Sequence, residues 1–141
     1  VSHAPALLAE ACAALATEYP NLPAAVSHAV LLRGTARVAA GGVDGASFRS
    51  WYAALIDLTL RMAGLGGRNV LCEHTFVLRE NEGQPVFGDM DALAARWPAW
   101  HANLAHCLMH DPMHAVRSAL TNQLVHLQTR PPQADLFAGE V

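Results

Sequence analysis

The stretch Phe48 to Ala63, FRSWYAALIDLTLRMA, decides the fold. Its large apolar residues Trp51, Leu55, Leu58 and Met62 recur at alternating steps of four and three, the repeat that lines one face of an α-helix. Tyr52 and Ile56 widen that stripe until apolar side chains go most of the way round. Such a helix has little surface to offer water and is expected at the centre of a bundle. Ser47 stands where an N-cap would sit, and Gly64, Gly66 and Gly67 close the helix. Asp57 interrupts the apolar run, either as a buried polar partner or as an exposed residue.

Towards the amino end, Leu7, Leu8, Ala11 and Leu15 mark a first helix over His3 to Glu18, stopped by Pro20. Pro23 suits the first turn of a second helix reaching about Ala40, with Val26, Val30 and Val38 inward and Gly41-Gly42 at its end. Towards the carboxyl end the period changes. Val70, Cys72, His74, Phe76 and Leu78 alternate with Glu73, Thr75 and Arg79. That period of two, followed by the turn signal Asn81-Glu82-Gly83 and by Gln84 to Phe87, predicts a small β-hairpin near 70–88 leaning on the helices. Asp89 then caps a short helix through Trp97, and Pro98 opens another that runs through His110. Asp111-Pro112 repeats that pattern and opens the last helix, to about Gln128, with Val116, Leu120, Leu124 and Leu127 inward. The expectation is a mainly α protein: a single bundle of five to six helices over 1–130, and a flexible tail over 131–141.

Composition narrows the class. The chain has 141 residues, 52% apolar and 15% charged, enough to close one core. Net charge is −3, and the nine basic residues, all arginine, are dispersed. Nucleic-acid binding by bulk charge needs concentrated cations to displace phosphate counterions, so direct binding is not expected. No apolar run approaches the roughly 20 residues of a membrane span, and the first residues lack a basic region preceding an apolar stretch. Cys12, Cys72 and Cys107 are widely spaced and odd in number, the usage of a reducing cytoplasm rather than of a disulfide framework.

The tail carries the one docking motif. Pro131-Pro132 excludes helix, and Gln133-Ala134-Asp135-Leu136-Phe137 follows. Two adjacent large apolar side chains in a polar tail are the paired anchors of a groove-binding peptide. The pentapeptide resembles the motif by which bacterial polymerases, mismatch-repair proteins and plasmid initiators bind the sliding clamp: Gln, a variable residue, Asp or Ser, Leu, then Phe or another large apolar residue. The resemblance covers five residues and says nothing of the body. It implies that Leu136 and Phe137 fill an apolar pocket of the clamp, that Gln133 hydrogen-bonds at its rim, and that Asp135 shapes the peptide. The function it implies is that of a cytoplasmic, non-enzymatic accessory protein of DNA replication or repair. Such a protein would modulate access to the clamp, with a larger partner taken by the helical body. Two alternatives stand beside it: Leu136 and Phe137 fold back on the core of an interaction module unrelated to DNA, or the chain is a small histidine-rich metal-binding protein.

His106, His110 and His114 fall at steps of four, with His101 and Cys107 nearby. A histidine pair one turn apart on a helix can chelate Zn²⁺, and His74, Glu73 and Cys72 could add ligands through the fold. Against this, Asp111-Pro112 breaks the helix between His110 and His114, so structural or surface roles are the first expectation and no cofactor is required. Trp97, Trp100 and His101 suit core packing better than base stacking, because no basic groove accompanies them. Gly64-Leu65-Gly66-Gly67 follows a helix and lacks the lysine of a phosphate loop, and no catalytic constellation is apparent.

Overall fold

A computed structural model describes residues 3–25, 29–81 and 83–130 of the chain. These form a six-helix bundle without a β-sheet: α1 (Pro5–Ala13), α2 (Gly34–Ala39), α3 (Trp51–Gly64), α4 (Asp89–Arg96), α5 (Trp100–His110) and α6 (His114–Thr129). The mainly α expectation holds, and α3 is central. Every residue from Ala53 to Thr59 is buried, and Phe48, Ala54, Ile56, Leu93, Trp100 and Ala24 pack into one cluster around it. Helices α2 and α4 flank α3, α5 follows α4, and α6 lies along α1. The stripe read on the last helix faces inward, with Leu124 buried and Val116, Leu120 and Leu127 partly so.

The two ends of α3 show how its boundaries are set. Ser50, not Ser47, is the N-cap, its hydroxyl accepting from the Ala53 N–H at 3.2 Å. Trp51 therefore starts the helix, on its exposed side. Asp89, expected to cap its own helix, is instead the first residue of α4. Its carboxylate accepts from the Arg49 N–H at 3.0 Å, the Ser50 N–H at 2.6 Å and the Ser50 hydroxyl at 2.5 Å. The start of α3 is thus satisfied from 39 residues away. At the other end Gly66 has φ 93°. The Gly67 N–H donates to the Met62 carbonyl and the Gly66 N–H to that of Ala63, a Schellman closure. A Cβ on Gly67 would lie 2.9 Å from the Met62 oxygen, so glycine is required there. Ser50→Ala removes the cap and should cost about 1–2 kcal/mol, read as a lower urea midpoint at unchanged m-value.

Four expected elements are corrected. The first helix ends at Ala13 instead of Glu18, and further on the Glu18 and Tyr19 N–H groups are taken by the Glu73 carboxylate, that of Tyr19 at 2.9 Å, rather than by helix carbonyls. The second helix is only Gly34–Ala39. The chain from Pro20 to Ala25 is irregular instead, with Leu22 N–H donating to the Asn69 carbonyl at 2.8 Å, Leu71 N–H to that of Pro20 at 2.9 Å, and Ala25 N–H to the Thr59 hydroxyl at 3.0 Å. Val30 and Val38 are exposed rather than inward, and Val26 lies outside the described residues. The hairpin near 70–88 is absent among the described residues; Val70 pairs instead with Asn21 in an isolated antiparallel bridge. Its alternation does not set burial in the fold. Glu73 is buried, while Leu78, Val86 and Phe87 face solvent. The last helix also starts later than read: Asp111 ends α5 at φ 44°, and α6 begins at His114.

Candidate functional site

The expected docking residues come after α6 in the chain, and the end of that helix sets where they begin. Arg130 leaves the helix at φ −60° and ψ 127°, the extended conformation favoured before a proline. Its guanidinium pairs with Glu10 of α1 at 3.2 Å, and Gln128 Nε2 lies 3.0 Å from His3 Nδ1. The root of the tail is therefore tied to α1, at an exposed position. Gln133, Asp135, Leu136 and Phe137 lie outside the described residues.

The histidines are distributed over two helices. His106 and His110 are exposed on α5, their rings stacked with centroids 3.9 Å apart and planes inclined by 30°. His110 Nδ1 lies 2.9 Å from the His106 carbonyl oxygen and donates to it. Stacked rings do not converge on a shared ion as the ligands of a tetrahedral site do. His114 stands on α6, beyond the left-handed Asp111, with its Nδ1 3.9 Å from an Asp111 oxygen. The same carboxylate holds Arg117. An open depression of about 450 Å³ lined by His114, Arg117, Ser118, Thr121 and Asn122 runs along α6 alone and encloses nothing. Among the described residues, no three of His, Cys, Asp and Glu are placed to hold a metal ion.

Of the aromatic group, the two tryptophans belong to the core, while His101 is exposed. Trp100 is buried in the central cluster, and Trp97 donates its Nε1–H to Asp57 at 2.9 Å. Asp57, undecided from the sequence, is wholly buried. Its Oδ2 accepts from Arg61 Nε at 3.1 Å, and its Oδ1 from Arg96 at 3.2 Å. Arg61 continues to the carbonyls of Ala40 and Gly42, closing the end of α2. Arg96 continues to Asp44 and Ser47 at 2.9 Å each and lies over the Phe48 ring. Every carboxylate oxygen of Asp57 is satisfied, which marks this network as structural.

One juxtaposition was not drawn from the sequence. Glu73 is buried within the turn that holds Cys72 and His74, and the residues on either side of it are exposed and meet. Cys72 Sγ lies 3.6 Å from His74 Nδ1 and 3.6 Å from Thr75 Oγ1. The edge of the Tyr19 ring packs against His74 at 6.2 Å between centroids. The signal was present, since residues two apart in an alternating segment share a face.

Three carboxylates are held below their ordinary range. Asp44 is lowered by the Ser47 hydroxyl and then by Arg96, and Asp89 by the Ser50 hydroxyl and the Arg49 N–H. For Glu73, burial opposes ionisation most strongly, but the N–H groups of Glu18, Glu73 itself and Tyr19 together outweigh it. Each binds a proton more readily in the unfolded chain, so each contributes stability above its unfolded value and loses it as pH falls through the folded one. Urea midpoints should hold from pH 7 to about 5 as far as these groups are concerned, then fall below about 4.5 as the carboxylates protonate.

The chain matches no known family model, no curated protein and no solved structure with which it was compared.

Proposed function

We propose that this protein is a non-enzymatic accessory factor of DNA replication or repair that docks on the bacterial sliding clamp through Gln133 to Phe137 and modulates access of other clamp users. One observation carries the reading: all four constrained positions of the motif are filled, by Gln133, Asp135, Leu136 and Phe137. Its setting supports it. The motif begins three residues beyond Arg130, at an exposed helix end tied to α1. Pro131-Pro132 favours an extended spacer that lowers the ordering cost of docking. A single such peptide binds in the micromolar range, about −8 kcal/mol. The identical pockets of a clamp ring raise the effective concentration. A net charge of −3 suits a factor that reaches DNA through the clamp rather than by its own phosphate contacts.

A second reading is a helical interaction module unrelated to DNA. Leu108 and Met109, adjacent on α5 and 72% and 83% exposed, favour it, since neither is covered by the chain's own helices. Both readings give the body a partner; they differ in what the tail does. Titrating purified clamp into a labelled peptide of residues 131–141, and into the full chain, separates them. Micromolar binding of both supports clamp docking. Binding of neither removes it, and binding of the peptide alone favours a tail held against its own body.

A further inference from the structure

We propose that Cys72 and His74 form a reactive thiol–imidazole pair, a site of covalent modification by small electrophiles, with hydrogen peroxide as the natural reagent class. The inference is independent of the tail. It rests on how the turn is built. Glu73 points inward, where its Oε1 accepts the Glu18 and Tyr19 N–H groups, and it is 4% exposed. An anchored middle residue fixes the two neighbours that face outward. Cys72 and His74 are both exposed, with Sγ 3.6 Å from Nδ1. The Tyr19 ring braces the imidazole from the side, at 80° to its plane. Thr75 Oγ1 supplies a further polar neighbour for the sulfur, also at 3.6 Å.

A thiol is nucleophilic as its thiolate, and an adjacent imidazole can take up the proton as the sulfur attacks. The other two cysteines lack this setting. Cys12 is buried, and burial pushes its thiol up. Cys107 is half-buried, and none of the sulfur contacts to an imidazole found among the described residues involves it. Both serve as controls within the same molecule.

The step balances. The Cys72 thiol passes its proton to His74, and the thiolate sulfur attacks one oxygen of hydrogen peroxide. The S–O bond forms as the O–O bond breaks. The departing hydroxide takes the proton from the His74 imidazolium and leaves as water. Sulfur is oxidised to the sulfenic acid and the peroxide is reduced. Cys12 is buried and Cys107 lies on α5, so an external thiol would be needed to return Cys72 to its reduced form.

The test uses the full chain at pH 7 with iodoacetamide as probe, followed residue by residue by peptide mass spectrometry. Cys72 should be alkylated about tenfold or more faster than Cys107, because an isolated thiol is only a few per cent thiolate at that pH. His74→Asn should bring Cys72 down to the Cys107 rate without changing the melting temperature. Brief exposure to hydrogen peroxide followed by dimedone should label the Cys72 peptide and no other, and Cys72→Ser should abolish the label. Equal rates at Cys72 and Cys107, or an unchanged Cys72 rate in His74→Asn, would overturn the pair. Fast alkylation without a dimedone adduct would overturn the peroxide assignment. If His74→Asn melts lower, His74→Gln replaces it under the same criteria, and a Cys72 rate in the unaltered protein no faster than that of free cysteine overturns the pair on its own.

Discussion

Asp57→Ala should lower the unfolding free energy by about 3 kcal/mol, towards the lower end of the range for removing one member of a buried ionic network. The carboxylate is inaccessible to solvent and accepts from Arg61, Arg96 and Trp97. Truncation strands the Trp97 N–H and leaves two guanidinium groups facing an empty position. Two features hold the cost below the top of the range. Arg61 keeps the carbonyls of Ala40 and Gly42, and Arg96 keeps Asp44 and Ser47. Both arginine side chains also reach solvent, at 24% and 37% exposure, so water screens part of the loss. Asp57→Asn retains an acceptor for Trp97 and should cost about half as much. Urea unfolding reads both, as a lower midpoint with the slope preserved. A loss under about 1 kcal/mol for Asp57→Ala would show that the network does not hold α2 and α4 against α3.

The second large effect concerns binding. In the full chain, Gln133→Ala with Phe137→Ala should weaken clamp binding about a thousandfold, from micromolar to beyond millimolar, with the melting temperature unchanged. Each anchor of a short docking peptide contributes about 2 kcal/mol or more, and the two together give that factor. On the docking proposal, Phe137→Ala would remove the apolar filling of the pocket, and Gln133→Ala the hydrogen bond at its rim. Melting is the discriminating control. If Leu136 and Phe137 were packed on the helices, the double substitution would leave a cavity and lower the melting temperature along with any binding. Retained affinity with both side chains removed would sink the docking proposal.

Alternation of period separated α3 from the segment after Gly67, and that separation was legible because an amphipathic helix states its own geometry. The stripe of α6 was legible for the same reason, and Gly64, Gly66 and Gly67 announced the Schellman closure. The segments from Pro20 to Ala40 and from Val70 to Phe87 were misread for one common cause. In the first, the Leu22 N–H goes to Asn69 and that of Ala25 to the Thr59 hydroxyl, while just before it the Glu73 carboxylate takes the N–H groups of Glu18 and Tyr19; in the second, the Leu71 N–H goes to Pro20. Local propensity cannot register a hydrogen bond that spans 34 or 54 residues. The Cys72–His74 contact was half legible, as two residues on one face, but its anchor was not, because burying Glu73 runs against hydropathy.

By itself, then, the order of residues determined that the chain is helical, that its middle helix is the innermost, and that a pentapeptide resembling a clamp-binding motif follows Arg130. These are properties of contiguous stretches, set by side-chain period and local chemistry. Only the tertiary structure decided that Asp57 is buried and satisfied, that Asp89 holds the N-cap residue of a helix other than its own, and that a carboxylate at 73 takes the N–H groups of Glu18 and Tyr19. Each of these depends on which groups meet across the fold, and a charged side chain can be taken from water only where its partners are already in place.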